Sequence, residues 1–103
     1  MILHIVQFTF KPEVTEADVT ALRTALLDMA AQLPIIKSYL AEPNLRVRPS
    51  DTDFSAAAIC ETADDLEAYL DHPLHKDVYD KHLGWMVATR TAAQLPIASG
   101  SFA

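Results

Sequence analysis

The sequence predicts a single α+β domain, a four-stranded antiparallel sheet with its helices on one face, and three observations carry that prediction. A chain of 103 residues is long enough for one hydrophobic core and too short for two. Its hydrophobic periodicity switches between strand-like and helix-like segments in the order β, α, β, β, α, α, β. Prolines at 12, 34, 43 and 73, and Gly84, fall at the joints between those segments.

The first segment, Ile2 to Phe10, has an even-numbered face of Ile2, His4, Val6, Phe8 and Phe10. Leu3 and Ile5 make the odd face half apolar as well, which predicts a strand covered on both sides, the second side by another subunit. His4 interrupts the richer face, either as a hydrogen-bonded core histidine or as the wall of a pocket on the helix side. Lys11-Pro12-Glu13 ends the strand. Thr15, with Glu16 and Asp18 behind it, is an N-cap with acidic residues in the first turn, a capping box with Asp in place of Glu. Val19, Leu22, Leu26, Met29 and Leu33 then recur at three and four residues, predicting a helix with one apolar stripe that closes at Leu33-Pro34.

Ser38 to Ala41 predicts a second strand that bulges at Pro43-Asn44 and resumes over Leu45 to Arg48 on an edge of the sheet. In that reading Arg46 and Arg48 alternate on a solvated face, and an anion clamp is the other option. Turn residues from Pro49 to Asp53 lead to a third strand, Phe54 to Cys60, whose alanines leave room beside the sheet. Cys60, the single cysteine, has no partner for an internal disulfide and reads as a small buried hydrophobe. Thr62 caps a short helix with Ala63, Leu66, Tyr69 and Leu70 on its buried side. After Pro73 a helix runs from Leu74 to Leu83 and stops at Gly84. A last strand reaches about Ile97, so residues 1 to 98 form the domain and 99 to 103 a tail with little to hold it. A split βαβ unit doubled in this order is the ferredoxin-like arrangement.

Composition narrows the function. Half the residues are hydrophobic and 21% are charged, the balance of a folded globular chain. A net charge of −6 supplies no basic stripe, which argues against nucleic acid and anionic membrane as partners. No apolar run approaches a membrane span and no cleavable leader is visible at Met1-Ile2-Leu3-His4, so the expectation is a cytoplasmic protein.

Chemistry concentrates in Tyr69-Leu70-Asp71-His72-Pro73-Leu74-His75. Pro73 lacks an N–H and drives His72 out of the α region, so the helix carrying Tyr69 must break there. The kink is expected to swing His75 back within hydrogen-bond reach of the Tyr69 phenol, an arrangement suited to a general base near neutral pH. The plainer reading is that the pair only locks the kink. His72 and His75, with Asp71 beside them, have the spacing of metal ligands, but Pro73 spoils the regular helix that such a site needs, and no metal is expected.

The opening His4-Ile5-Val6-Gln7-Phe8-Thr9-Phe10-Lys11, the spacing to Asp53-Phe54, and Leu66-Glu67-Ala68-Tyr69 running into His72-Pro73-Leu74-His75 resemble the stress-responsive A/B-barrel (Dabb) family, from Ile2 to about Ile97. That resemblance implies a homodimeric α+β barrel, paired through the sheet face opposite the helices, with no metal or organic cofactor. The family includes stress-response proteins of unclear biochemistry, a plant polyketide cyclase and a cyanohydrin lyase, so fold alone assigns no chemistry. By its match to the cyclase, His75 corresponds to the general base, Tyr69 to the residue orienting it, and His4 to a pocket histidine. Phe54 and Leu26 stand where the cyclase has a further pocket histidine and an aromatic residue. The expected ligand is a small apolar or polyketide-like carbonyl compound lying against Val6, Phe8, Leu22, Leu26 and Leu70. The enzyme implied is a cofactor-free cyclase or lyase, and the alternative is a non-catalytic binding or stability module.

Overall fold

The structure, a computed structural model, describes all 103 residues. The elements follow in the order β1 (Ile2–Phe10), α1 (Glu16–Ala31), β2 (Ser38–Pro43), β3 (Phe54–Cys60), α2 (Ala63–Leu70), α3 (Pro73–Val78), a π-helical turn (Tyr79–Leu83), a short helical turn (Gly84–Met86) and β4 (Val87–Pro96). The strands form one antiparallel sheet in the order β2-β3-β1-β4, with β1 running from an Ile2–Cys60 pair to a Phe8–Phe54 pair along β3. This is the ferredoxin-like arrangement. No helix is long and apolar enough to cross a membrane.

Local chemistry explains the helix starts. Thr15 Oγ1 accepts from Asp18 N–H at 3.2 Å while Asp18 Oδ2 accepts from Thr15 N–H at 2.9 Å, so the box closes with the shorter acid. Thr62 Oγ1 accepts from Asp65 N–H at 3.1 Å. At α3 the cap is His72, extended at φ −67° and ψ 140°, whose Nδ1 accepts from Leu74 N–H at 3.1 Å, with Pro73 in the first turn. His72 is thus occupied as a helix cap.

Burial follows the apolar stripes. Leu22, Phe54, Cys60 and Met86 are wholly enclosed and join Leu26, Met29, Leu66 and Tyr69 between sheet and helices. Burial also pushes the Cys60 thiol up, keeping it a packed hydrophobe. On β1, His4, Val6 and Phe8 are buried whereas Leu3 and Ile5 on the opposite face are only partly so. Across that open face Leu3 aligns with Ile59 and Leu95, and Ile5 with Ala57 and Ala93, while Leu40 pairs with Ala57 beyond.

Two expectations are corrected. The second strand ends at Pro43 and does not resume: Arg46 sits at φ 50° in a loop, where Asn44 Oδ1 accepts its N–H at 3.0 Å. Its guanidinium pairs with Asp53, whose Oδ2 also accepts from Phe10 N–H at 2.7 Å, so Arg46 braces the loop and is not free to clamp an anion. Leu45 and Val47, which alternation assigned to a strand, are exposed. Past Pro96 the tail has no regular structure, and Phe102 N–H donates to Ser38 Oγ at 2.9 Å.

The second correction is at Gly84, which continues the helical path at φ −59° and ψ −32°, its N–H donating to Tyr79 C=O. That bond spans five residues, the π pattern, and stacks Gly84 over Tyr79, whereas five residues of α-helix would turn it about 140° away. Glycine eases this approach, because a Cβ here would lie 3.0 Å from Tyr79 O and 3.3 Å from its ring, tighter than ordinary contact. Gly84→Val is therefore expected to lower the unfolding free energy by about 1–3 kcal/mol through overpacking. Urea denaturation measures it, and an unchanged midpoint would show that the turn has slack.

Candidate functional site

The rows of the sheet determine where a hollow forms. Tyr39, Ala58, His4 and Gln94 align across the four strands, with Ala41, Ala56, Val6 and Ala92 in the next row. Paired residues share a side of an antiparallel sheet, and these rows lie under the helices. Alanines at 56 and 58 fill little of the space above them, and a cavity of about 380 Å³ remains between sheet and helices. That volume falls in the range of small-molecule sites.

His4, Val6, Phe8, Leu26, Tyr69, Leu70 and His75, all singled out from the sequence, line this cavity. Leu22 does not: it is 0% exposed in the core cluster, a correction with a simple cause. One turn before Leu26 on α1, its side chain is enclosed on all sides and has no surface left for a ligand. Sequence reasoning missed Tyr39, Tyr79, Leu83, Gly84, Val87 and Arg90. Tyr39 was within reach, since alternation from buried Ala41 places it on the same face. Val87 and Arg90 were not. They are three residues apart, an odd step that ordinarily puts side chains on opposite faces, but a register shift opposite Thr9/Phe10 bulges β4 between them. Both therefore face the helix side.

The kink at His72-Pro73 brings Tyr69 and His75 together, although not through the phenol hydroxyl. Their rings meet edge to face, with centroids 5.2 Å apart and planes at 90°, the preferred geometry for such contacts. The expected hydrogen bond is thus replaced by ring packing: α3 returns so close to α2 that the imidazole abuts the body of the phenol ring. The Tyr39 and Tyr69 phenols influence each other but stand outside hydrogen-bond geometry, leaving Tyr39 Oη buried without a partner. Burial raises both, Tyr69 to about 12. His4 Nδ1 lies 3.0 Å from the Gln94 amide nitrogen, so with that nitrogen donating, the His4 proton sits on Nε2.

Both cavity histidines are held below their ordinary value. Burial is the main cause for each, and the Arg90 guanidinium is the next. His75 adds to the lowering at His4, while Asp71 opposes it at His75. The lowering at His75 favours the neutral imidazole, the form in which a histidine can accept a proton. No three His, Cys, Asp or Glu side chains converge as a metal cage, and the wall is mostly hydrophobic.

A ferredoxin-like sheet with one apolar, histidine-bearing cavity beneath its helices defines the class. The chain belongs to the stress responsive A/B barrel domain (Dabb) family, whose model matches residues 2–96. Among solved structures it is similar to a dimeric ferredoxin-like protein of unknown function from Thermobifida fusca, with 31% identity over 93% of this chain and 90% of that one and a TM-score of 0.86. A Dabb family protein from Mesorhizobium loti shares 15% identity over 94% of this chain and 97% of that one, TM-score 0.78. The hydroxynitrile lyase of Passiflora edulis shares the fold at 11% identity, over 96% and 94% of the two chains, TM-score 0.81. No curated protein matches the chain.

The lowered histidines give stability a pH dependence of definite sign. The unfolded chain takes up protons at 6.5, the ordinary histidine value, where the folded chain still resists them. The contribution of His4 and His75 is therefore complete above that pH and is lost as pH falls through their native values. The thermal midpoint is expected to drop on acidification below 6.5, and His4→Gln/His75→Gln is expected to flatten the drop down to roughly pH 5, where carboxylates take over. Equal slopes for parent and variant in differential scanning fluorimetry would contradict this.

Proposed function

We propose that the protein is a homodimeric small-molecule-binding domain whose cavity takes an apolar or polyketide-like carbonyl compound, and that His75 acts there as a cofactor-free general base, in a cyclase or lyase. The observation that supports this reading is the position of His75, its pKa lowered chiefly by burial and its ring against that of Tyr69, on the wall of an otherwise largely apolar cavity of about 380 Å³. A base of lowered strength needs an acidic C–H, as between two carbonyls. His75 takes that proton, forming an enolate and an imidazolium. The enolate carbon attacks a second carbonyl of the folded chain, a C–C bond forms, and the resulting alkoxide recovers the proton from His75. Val6, Phe8, Leu26 and Leu70 hold the substrate in a reactive fold, and His4 contacts a carbonyl oxygen in this reading.

A second reading has an observation of its own. The Tyr69–His75 contact is ring packing and not a hydrogen bond, which suffices to lock the kink in a binding or stability module without turnover. His75→Ala separates the two. On a panel of β-dicarbonyl and alkyl-resorcinol compounds, the enzyme reading expects a loss of turnover of about 10²–10⁴-fold with the fold retained. Tyr69→Phe, which keeps the ring, is expected to cost much less than Tyr69→Ala. Absence of turnover by the parent protein, with ligand still bound, would leave the module.

The dimer reading rests on the open sheet face, where Leu40 and Leu95 are 45% and 47% exposed beside Leu3 and Ile5. A second copy packed face to face covers this patch by twofold symmetry, in keeping with the dimeric state named for the Thermobifida fusca protein. Ile5→Lys places a charge in its middle and is expected to yield monomers by light scattering after size exclusion. A variant that stays dimeric would place the interface elsewhere.

A further inference from the structure

The cavity described above carries one group that the proposed chemistry does not use. Arg90 is the one cationic lysine or arginine on its wall. The molecule's ion pairs engage Arg23, Arg46, Lys76 and Lys81, and Arg90 is in none of them. Its position is built and not incidental. Regular alternation from Val87 would put residue 90 on the open face of the sheet, and the bulge in β4 brings it round to the helix side opposite Phe8. Arg90 is an exposed residue, which sets it on the solvent side of the cavity, while Val6, Leu26, Leu83 and Val87 contribute apolar wall. In a chain of net charge −6, this is a local positive pole at the mouth of an oily hollow. The same charge acts on both cavity histidines and favours their neutral forms.

We infer that the ligand of this cavity is an apolar carboxylate, its acid group held at the rim by Arg90 and its hydrocarbon body directed inward. This rests on the reading of the cavity as a small-molecule site and specifies the charge of what enters. A carboxylate at the rim keeps part of its hydration, so it avoids the desolvation cost that full burial beside two neutral imidazoles would impose. Guanidinium offers it two parallel N–H donors, a geometry that an ammonium lacks. An uncharged ligand of the same shape leaves Arg90 without a partner and gains only from the apolar wall.

Isothermal titration of the full chain with para-butylbenzoate and para-butylbenzamide, at neutral pH and low ionic strength, tests this with two ligands of one shape and different charge. The parent protein is expected to favour the benzoate by roughly fivefold, the scale of a partly solvated ion pair, and added salt to shrink the preference. Arg90→Gln is expected to remove the preference, read as the ratio of the two affinities, and Arg90→Lys to keep part of it. Circular dichroism melts establish that each variant is folded. A parent protein that binds the two equally, or an Arg90→Gln variant that still prefers the benzoate, overturns the assignment to Arg90 and leaves the cavity as a neutral-ligand site. If neither compound binds parent or variant, the small-molecule reading of the cavity falls, and this inference with it.

Discussion

The break at His72-Pro73 is the constraint on which the site depends. Proline supplies no N–H and holds the preceding residue extended, and His72 turns that loss to use by capping the next helix with its own Nδ1. The chain leaves α2 and re-enters a helix at once, so Tyr69 at the end of one and His75 in the first turns of the next meet across the joint. In an unbroken helix, residues six apart point about 120° away from each other. Without the break there would be no paired rings.

Below that joint the sheet provides the volume. Ala56 and Ala58 are poor strand formers, and in β3 they are held by pairing on both sides, to β1 and to β2. Their value lies in what they leave empty. Larger residues in those rows would fill the cavity over His4 and Val6 and turn a site into core. The π-helical turn completes the enclosure from the other side, since its five-residue bond sets Tyr79, Leu83 and Gly84 on a single face toward the hollow.

Polarity is distributed unevenly around that space. His4 is tied to Gln94 on the neighbouring strand, His75 to the Tyr69 ring, and the buried Tyr39 phenol lies near that of Tyr69. Burial and Arg90 act in the same direction on both histidines and favour their neutral forms. Arginine, histidines and apolar wall thus come from different elements, and none of them lines the cavity alone.

What the sequence by itself determined was local in origin. Strand alternation in Ile2–Phe10, the stripe from Val19 to Leu33, the caps at Thr15 and Thr62 and the break at Pro73 each follow from residues within one or two turns of one another, and each is found in place. The same local cues placed His4, Val6, Phe8, Leu26, Tyr69, Leu70 and His75 on the side where the cavity forms. Only the tertiary structure decided that Leu22 is sealed in the core, that the Tyr69–His75 contact is between rings, that Gly84 passes through a π turn, and that Arg90 joins the site. Those outcomes depend on distances between elements and on a one-residue bulge between paired strands, and such a shift reverses every side chain beyond it without leaving a mark in the periodicity of one strand.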